Sequence, residues 1–271
     1  MNIRPRVRLR TNLCILLLLF AALLASCAMR RTVPVSSLVY SLPEKLTEGK
    51  FDDEYAEKMN TASYKYSDRN IYLSVKNDAL LLSDTDPTGG SNRSLAVSGG
   101  CFVGTDGGST GTVGSVIFRA DDGTVKPVIN ENCRALIALD SRSCLVVTCV
   151  YGSGENGARS SFYRMSAAAD NSGWVRSLIL SLDGAASAVC LAPDGSSVCA
   201  ALSGEKNSLV KLTFDGKLTR MCESELLGKL DITSIVYLRG KLYCSSKTGI
   251  FEFDPAGETE VWYPVDWRRL G

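Results

Sequence analysis

Ten cysteines and no histidine set the chemical limits of this 271-residue chain. Without an imidazole, Ser-His-Asp and Cys-His nucleophilic systems, the usual zinc centres and an imidazole pH switch are all excluded. No Cys-x-x-Cys pair occurs either. Besides Cys14 and Cys27 near the N-terminus, eight cysteines remain: Cys101, Cys133, Cys144, Cys149, Cys190, Cys199, Cys222 and Cys244. Cys101, Cys144, Cys199 and Cys244 recur among small residues in strand-like segments, which reads as buried thiols acting as small hydrophobes. One pair is open to register arithmetic. A two- or four-residue hairpin loop centred on Asp194 and Gly195 sets Cys190 directly opposite Cys199, a possible disulfide if their Cβ atoms come within about 4.5 Å.

The carboxylates give a weaker signal. Asp84-Thr85-Asp86-Pro87-Thr88-Gly89 begins like a calcium loop, but Leu95 stands where the closing glutamate belongs, so a solvated turn is expected. Asp140, Asp170, Asp194, Asp215 and Asp254 fall in turns, where a short carboxylate has local structural work to do. The glycine-rich stretches 104–111 and 152–157 lack the Lys-Ser/Thr of a phosphate cradle. Trp174, Trp262, Tyr263 and Trp267 read either as a recognition platform or as packing. No catalytic residue, metal or other cofactor is expected.

The N-terminus carries an address. Arg4, Arg6, Arg8 and Arg10 precede an apolar run from Leu13 to Leu24, too short for a comfortable membrane span. Leu24-Ala25-Ser26-Cys27 follows and resembles the lipobox of bacterial lipoproteins. That resemblance implies removal of residues 1–26, lipidation (palmitate included) of Cys27, and a lipidated tether over 27–42 outside the cytoplasm. Ala28 is not the aspartate that retains many such proteins in the inner membrane, so an outer membrane is favoured where two exist. Residues 1–26 hold four arginines and no acid, which leaves 26 basic against 29 acidic residues and a formal charge of −3. With that mild acidity scattered, nucleic acid is not an expected partner.

The elements that must position these side chains are mostly strands. Residues 43–62 form the one helical stretch, on the spacing of Phe51, Tyr55 and Met59, and a first strand is expected near Ser36 to Ser41. From Tyr64 onward, short Val-, Ile- and Ser-rich segments alternate with turn dipeptides, among them Asp-Gly at 122, 183, 194 and 215. Four stretches repeat one plan of strand, turn, strand, loop, strand, turn, strand: Ser94 to Ile129, Arg134 to Leu180, Ala186 to Cys222 and Ile232 to Tyr263. Their period of about 45 to 55 residues suits a four-stranded blade. Over Tyr64 to Tyr263 the chain resembles bladed repeats of the NHL, WD-like and quinoprotein-like kinds. An all-β propeller of about five blades is expected over 43–271, the poorly marked one lying in 35–90, with a β-sandwich as the alternative.

A rigid propeller on a lipid implies a protein-binding or scaffolding role in the cell envelope, with the membrane and an envelope protein as partners. The loops 84–93, 104–113 and 151–160 are the candidate surfaces. The alternative is a hydrolase or lactonase-like propeller enzyme using carboxylates or calcium.

Overall fold

Alternating apolar and polar side chains, interrupted by glycine- and aspartate-rich turns, fold into antiparallel strands throughout the computed structural model. The structure describes residues 40–41, 49, 70–83, 86–87, 91–108, 113–152, 157–170 and 173–265. The signal peptide, Cys27, Trp267 and all of the expected helix except Gly49 lie outside them.

The first blade is a three-stranded sheet of β1 (Tyr40–Ser41), β2 (Tyr72–Lys76) and β3 (Ala79–Ser83), in the order β1-β3-β2. The second contains β4 (Asn92–Val97), β5 (Gly100–Thr105), β6 (Val116–Ala120) and β7 (Val125–Ile129). The third contains β8 (Asn132–Asp140), β9 (Ser143–Val150), β10 (Arg159–Ala167) and β11 (Trp174–Asp183). The fourth contains β12 (Ala185–Leu191), β13 (Ser197–Ser203), β14 (Ser208–Thr213) and β15 (Leu218–Cys222). The fifth contains β16 (Ile232–Leu238), β17 (Lys241–Ser246), β18 (Gly249–Asp254) and β19 (Thr259–Pro264). In each four-stranded sheet the strands follow chain order without crossover. That meander is a propeller blade and not the Greek key of a sandwich.

Apolar cores lie at the seams between blades. Phe102 and Val116 of the second blade meet Cys133, Cys144, Val146 and Met165 of the third. Phe162 and Val147 of the third meet Val198, Val210 and Leu212 of the fourth. Leu209 and Cys199 of the fourth meet Ile235, Leu242 and Phe251 of the fifth. The fifth then returns to the first, with Ile250 packed among Ile71, Leu73 and Leu82. Close packing leaves some positions no room for a Cβ. At Gly104 one would stand 2.3 Å from the Cys133 sulfur across the seam.

Polar stitches run beside the cores. Arg134, at the start of β8, ties three blades together. Its Nε donates to the Ala186 carbonyl (2.8 Å) and Nη2 to that of Ser187 (3.2 Å) in the fourth blade. Its Nη1 donates to the Asp106 carboxylate (2.5 Å) of the second blade and to the Tyr151 hydroxyl (3.1 Å) of its own. Asn132 accepts from the Gly107 and Gly114 amides (2.9 and 2.8 Å), binding the β5–β6 connection to the third blade. Between the fifth and first blades, Ser245 donates to the Ile71 carbonyl (2.7 Å) and Ser234 accepts from the Leu73 amide (2.6 Å).

The turns use their aspartates locally. Asp122, Asp140, Asp194 and Asp254 each accept from the backbone amide two residues on, at 2.7 to 3.0 Å. Gly195, at φ 65°, supplies the left-handed position in the β12–β13 turn. Asp183-Gly184 is different: it joins β11 to β12 and so carries the chain from one blade to the next rather than closing a hairpin. Among the described residues there is also a short helix that the sequence reading did not expect, α1 (Glu225–Gly228). Ser224 caps it by accepting from the Leu227 amide at 3.1 Å.

Two expectations follow. Replacing Arg134 by Met strands Asp106 and two carbonyls in a half-buried seam, and should cost about 3 kcal/mol of unfolding free energy in a urea titration. A loss under about 1 kcal/mol would show that the stitch is not needed. The second concerns acid. The Ser143 hydroxyl at Asp140, the Ser196 amide at Asp194 and the Thr213 hydroxyl at Asp215 hold those carboxyls below the ordinary range. A lowered folded-state value stabilises the fold above the unfolded value, and that contribution is lost as pH falls through the folded value. The urea midpoint should therefore drop less between about pH 6 and about pH 3 in a D140N/D194N/D215N triple variant than in the parent chain; equal drops would remove the claim.

Candidate functional site

The sheet surface of the third blade, with the β13–β14 turn of the fourth, lines a cleft of about 920 Å³. Three elements build it. The outer halves of β10 and β11 form its floor, the β9–β10 connection forms one wall, and Glu131, between β7 and β8, forms the other. Glu205, from the β13–β14 turn of the fourth blade, closes the end.

Strand register aligns three hydroxyls here, of which those of Ser161 and Ser181 line the floor and that of Thr148 is buried beside them. Thr148 of β9 lies opposite Ser161 of β10, and Ser161 lies opposite Ser181 of β11. Ser161 and Ser181 hydrogen-bond to each other at 2.9 Å, and the Thr148 hydroxyl donates to the Glu131 carboxylate. Charge in the cleft is predominantly negative, because Glu131, Asp183 and Glu205 face a single guanidinium, Arg159. Leu178 and Val150 add an apolar rim, at 55% and 49% exposure. A bulge between β10 and β11 lies at this point, since Phe162 pairs with Leu180 while Tyr163 pairs with Leu178. The extra residue sharpens the local twist.

This constellation suits recognition of a cationic, partly apolar group through ionic and hydroxyl contacts. Among the described residues, no group of three or more His, Cys, Asp and Glu side chains is arranged to hold a metal ion. A second, smaller depression lies between Gly204–Asn207 and α1. It shares Glu205 with the cleft, and its other two carboxylates are engaged: Glu223 pairs with Arg220 at 2.8 Å and Glu225 with Lys229 at 2.9 Å.

The residues singled out in the sequence are dispersed over the fold. Asp140, Asp194, Asp215 and Asp254 sit in hairpin turns and do not line the cleft, and Asp86 pairs with Arg93 at 3.7 Å. The rest of the candidate calcium loop, apart from Pro87, lies outside the described residues. The aromatics make no common platform. Trp174 stacks edge-on against Phe102 at 5.0 Å, Trp262 is buried in the core between the fourth and fifth blades, and Tyr263 donates to Glu252 at 2.9 Å. The loop 151–160 does border the cleft, through Gly152, Gly157, Ala158 and Arg159.

The thiols occupy the seams. Cys133, Cys144, Cys149, Cys199, Cys222 and Cys244 are buried, and Cys101 and Cys190 are half-buried; all eight are in the free thiol form. Burial pushes Cys133 up to about 11 and Cys144 up to about 12, so both stay protonated at neutral pH. The β12–β13 ladder sets Cys190 opposite Cys199. Sequence reasoning passed over Glu131 and Glu205, and took Asp183 only as a turn residue. Nothing local marks these three; strand register and blade order bring them to one cleft.

No protein-family model matches the chain, and no curated protein matches it by sequence. Solved structures do show similarity. A structural genomics protein of unknown function from Bacteroides thetaiotaomicron is 13% identical with a TM-score of 0.44, over 83% of this chain and 49% of that one. A puromycin hydrolase is 15% identical with a TM-score of 0.40, over 65% of this chain and 31% of that one. A Trypanosoma rangeli sialidase is 12% identical with a TM-score of 0.40, over 71% of this chain and 40% of that one. The chain spans less than half the length of each of these three, and the activities in their names are theirs.

Proposed function

We propose that this chain is a lipid-anchored binding protein of the cell envelope, held at the membrane through Cys27 and recognising a partner protein at the third-blade cleft. Supporting the address are the arginines at 4, 6, 8 and 10, the apolar run to Leu24, and the lipobox-like Leu24-Ala25-Ser26-Cys27. With Ala28 after the cysteine, the outer membrane is the favoured site where two membranes exist.

The observation that carries the binding reading is the cleft itself: three carboxylates and the Ser161–Ser181 hydroxyl pair beside an apolar rim. Its partner is a protein segment that presents Lys or Arg next to an apolar side chain. Fixed acids in a concave surface raise the local concentration of such a segment and orient it. A second reading, a carboxylate-dependent propeller hydrolase, draws on the same three acids. The exposed apolar side chains of Leu178 and Val150 beside those acids favour binding.

Two experiments test the proposal. Cys27→Ser should move the chain from the membrane to the soluble fraction and abolish incorporation of labelled palmitate; continued attachment would refute the anchor. In vivo cross-linking through a photoreactive residue at Leu178 should capture one envelope protein. The D183K/E205K variant, altered only at exposed positions, should reduce that capture by about tenfold or more, as expected for loss of charge-steered contacts. Undiminished capture, or turnover of a glycoside or lactone abolished by E131Q, would replace the binding reading with another site or with the enzyme.

A further inference from the structure

Four of the eight thiols meet at one seam. Cys199, Cys222 and Cys244 are buried in the core between the fourth and fifth blades, and Cys190 packs against that core. The backbone distinguishes one pair among them. In an antiparallel ladder, opposed residues alternate between hydrogen-bonded and non-bonded pairs, with Cα atoms about 5.5 and about 4.5 Å apart. The Ala192 amide donates to the Ser197 carbonyl at 2.9 Å, so that pair is bonded, Leu191 and Val198 are not, and Cys190 and Cys199 are bonded again. Their Cα separation is then about 5.5 Å, within the commonest range for disulfides. As directly opposed residues of the ladder, both side chains leave the same face of the sheet.

We propose that Cys190 and Cys199 are a redox-active dithiol that closes to a cross-strand disulfide by exchange with a disulfide-bearing oxidant of the extracytoplasmic compartment. The pair's reactivity follows from the geometry alone, while the supply of oxidant rests on the envelope location proposed above. The two positions differ in the way an entry thiol and a resolving thiol must. Cys190 is partly buried, whereas Cys199 is 1% exposed. The adjoining Cys190 thiol and then the ammonium of Lys211, opposite Cys199 on β14, favour the Cys199 thiolate, whereas Cys199 and then burial push the Cys190 thiol up. Cys190 passes its proton to the adjoining Cys199 thiolate and attacks one sulfur of the oxidant, forming a mixed disulfide and expelling the first thiolate. Cys199 then attacks the Cys190 sulfur, forms the internal bond and expels the second. Two protein thiols are oxidised, one external disulfide is reduced to two thiols, and the two protons released go to those leaving groups.

Trypsin separates the candidates cleanly. Cys190 and Cys199 share the peptide from Ser177 to Lys206, Cys222 lies in Met221 to Lys229, and Cys244 lies in Leu242 to Lys247. The detergent-purified full chain is treated with oxidised glutathione, alkylated and digested. The expected product is the first peptide about 2 Da light and unalkylated, with a rise in melting temperature of about 5 °C that a reductant reverses. C199S should accumulate a glutathione adduct on Cys190, and C190S should leave Cys199 unmodified. An unmodified first peptide, or one cross-linked to either of the others, would overturn the dithiol. Alkylation of exported chain at harvest, beside chain retained inside by deletion of residues 1–26, separately reads the compartment. A pair that closes in vitro yet is reduced in the exported chain would reject the envelope oxidant and leave the geometry standing.

Discussion

A four-stranded antiparallel sheet with apolar side chains on both faces cannot bury either face by itself, and this constraint governs the molecule. Each blade needs a neighbour on both sides, so stability resides in the seams rather than within any sheet. Phe102, Phe162 and Phe251, all fully buried, each belong to a seam core. Burying such a ring contributes roughly 2–3 kcal/mol, and no single blade offers that burial alone. The polar stitches add direction. Apolar burial tolerates sliding of one sheet on the next, whereas Arg134, with its planar set of donors, satisfies Asp106, Tyr151, Ala186 and Ser187 only when three blades are in register.

The same constraint explains the cysteines and glycines. Seam positions on second strands need small, weakly polar side chains, because the sheets approach closely there. Cys144, Cys199 and Cys244 serve that purpose, and Gly104 permits β5 to press against Cys133. Desolvation keeps most of these thiols protonated and inert. The Cys190–Cys199 pair is set apart by register: only there do two thiols face each other directly across a ladder among the described residues.

What the sequence discloses depends on how local the determinant is. Blade boundaries were legible because each blade repeats within one continuous stretch, so that Ile232 to Tyr263 coincides almost residue for residue with β16 to β19. The four-residue α1 was not, although Ser224 and Gly228 mark its ends, since four residues carry no helical period. Asp183-Gly184 looked like the other Asp-Gly turns, and only strand order shows that it links two blades. The cleft was illegible for a further reason. Glu131 and Glu205 are 74 positions apart in the chain, and their approach follows from the placement of two whole blades, to which no local pattern refers.

The position of the cleft also follows from how the outer strands are protected. Every blade ends in an edge strand, and an unguarded edge invites pairing with other chains. In β7 and β19 the edge carries proline, at Pro127 and Pro264, and in β15 it is short and holds Arg220. By contrast β11 is the longest of the strands at ten residues and contains no proline. Its protection is the bulge opposite Phe162 and Tyr163, which twists the edge out of register. That distortion carries Leu178 into solvent while Ser181 remains against Ser161. Guarding the longest edge and opening a polar recess with an apolar lip are therefore one structural event, and the recess lies at the blade corner where Glu131, Asp183 and Glu205 can surround it.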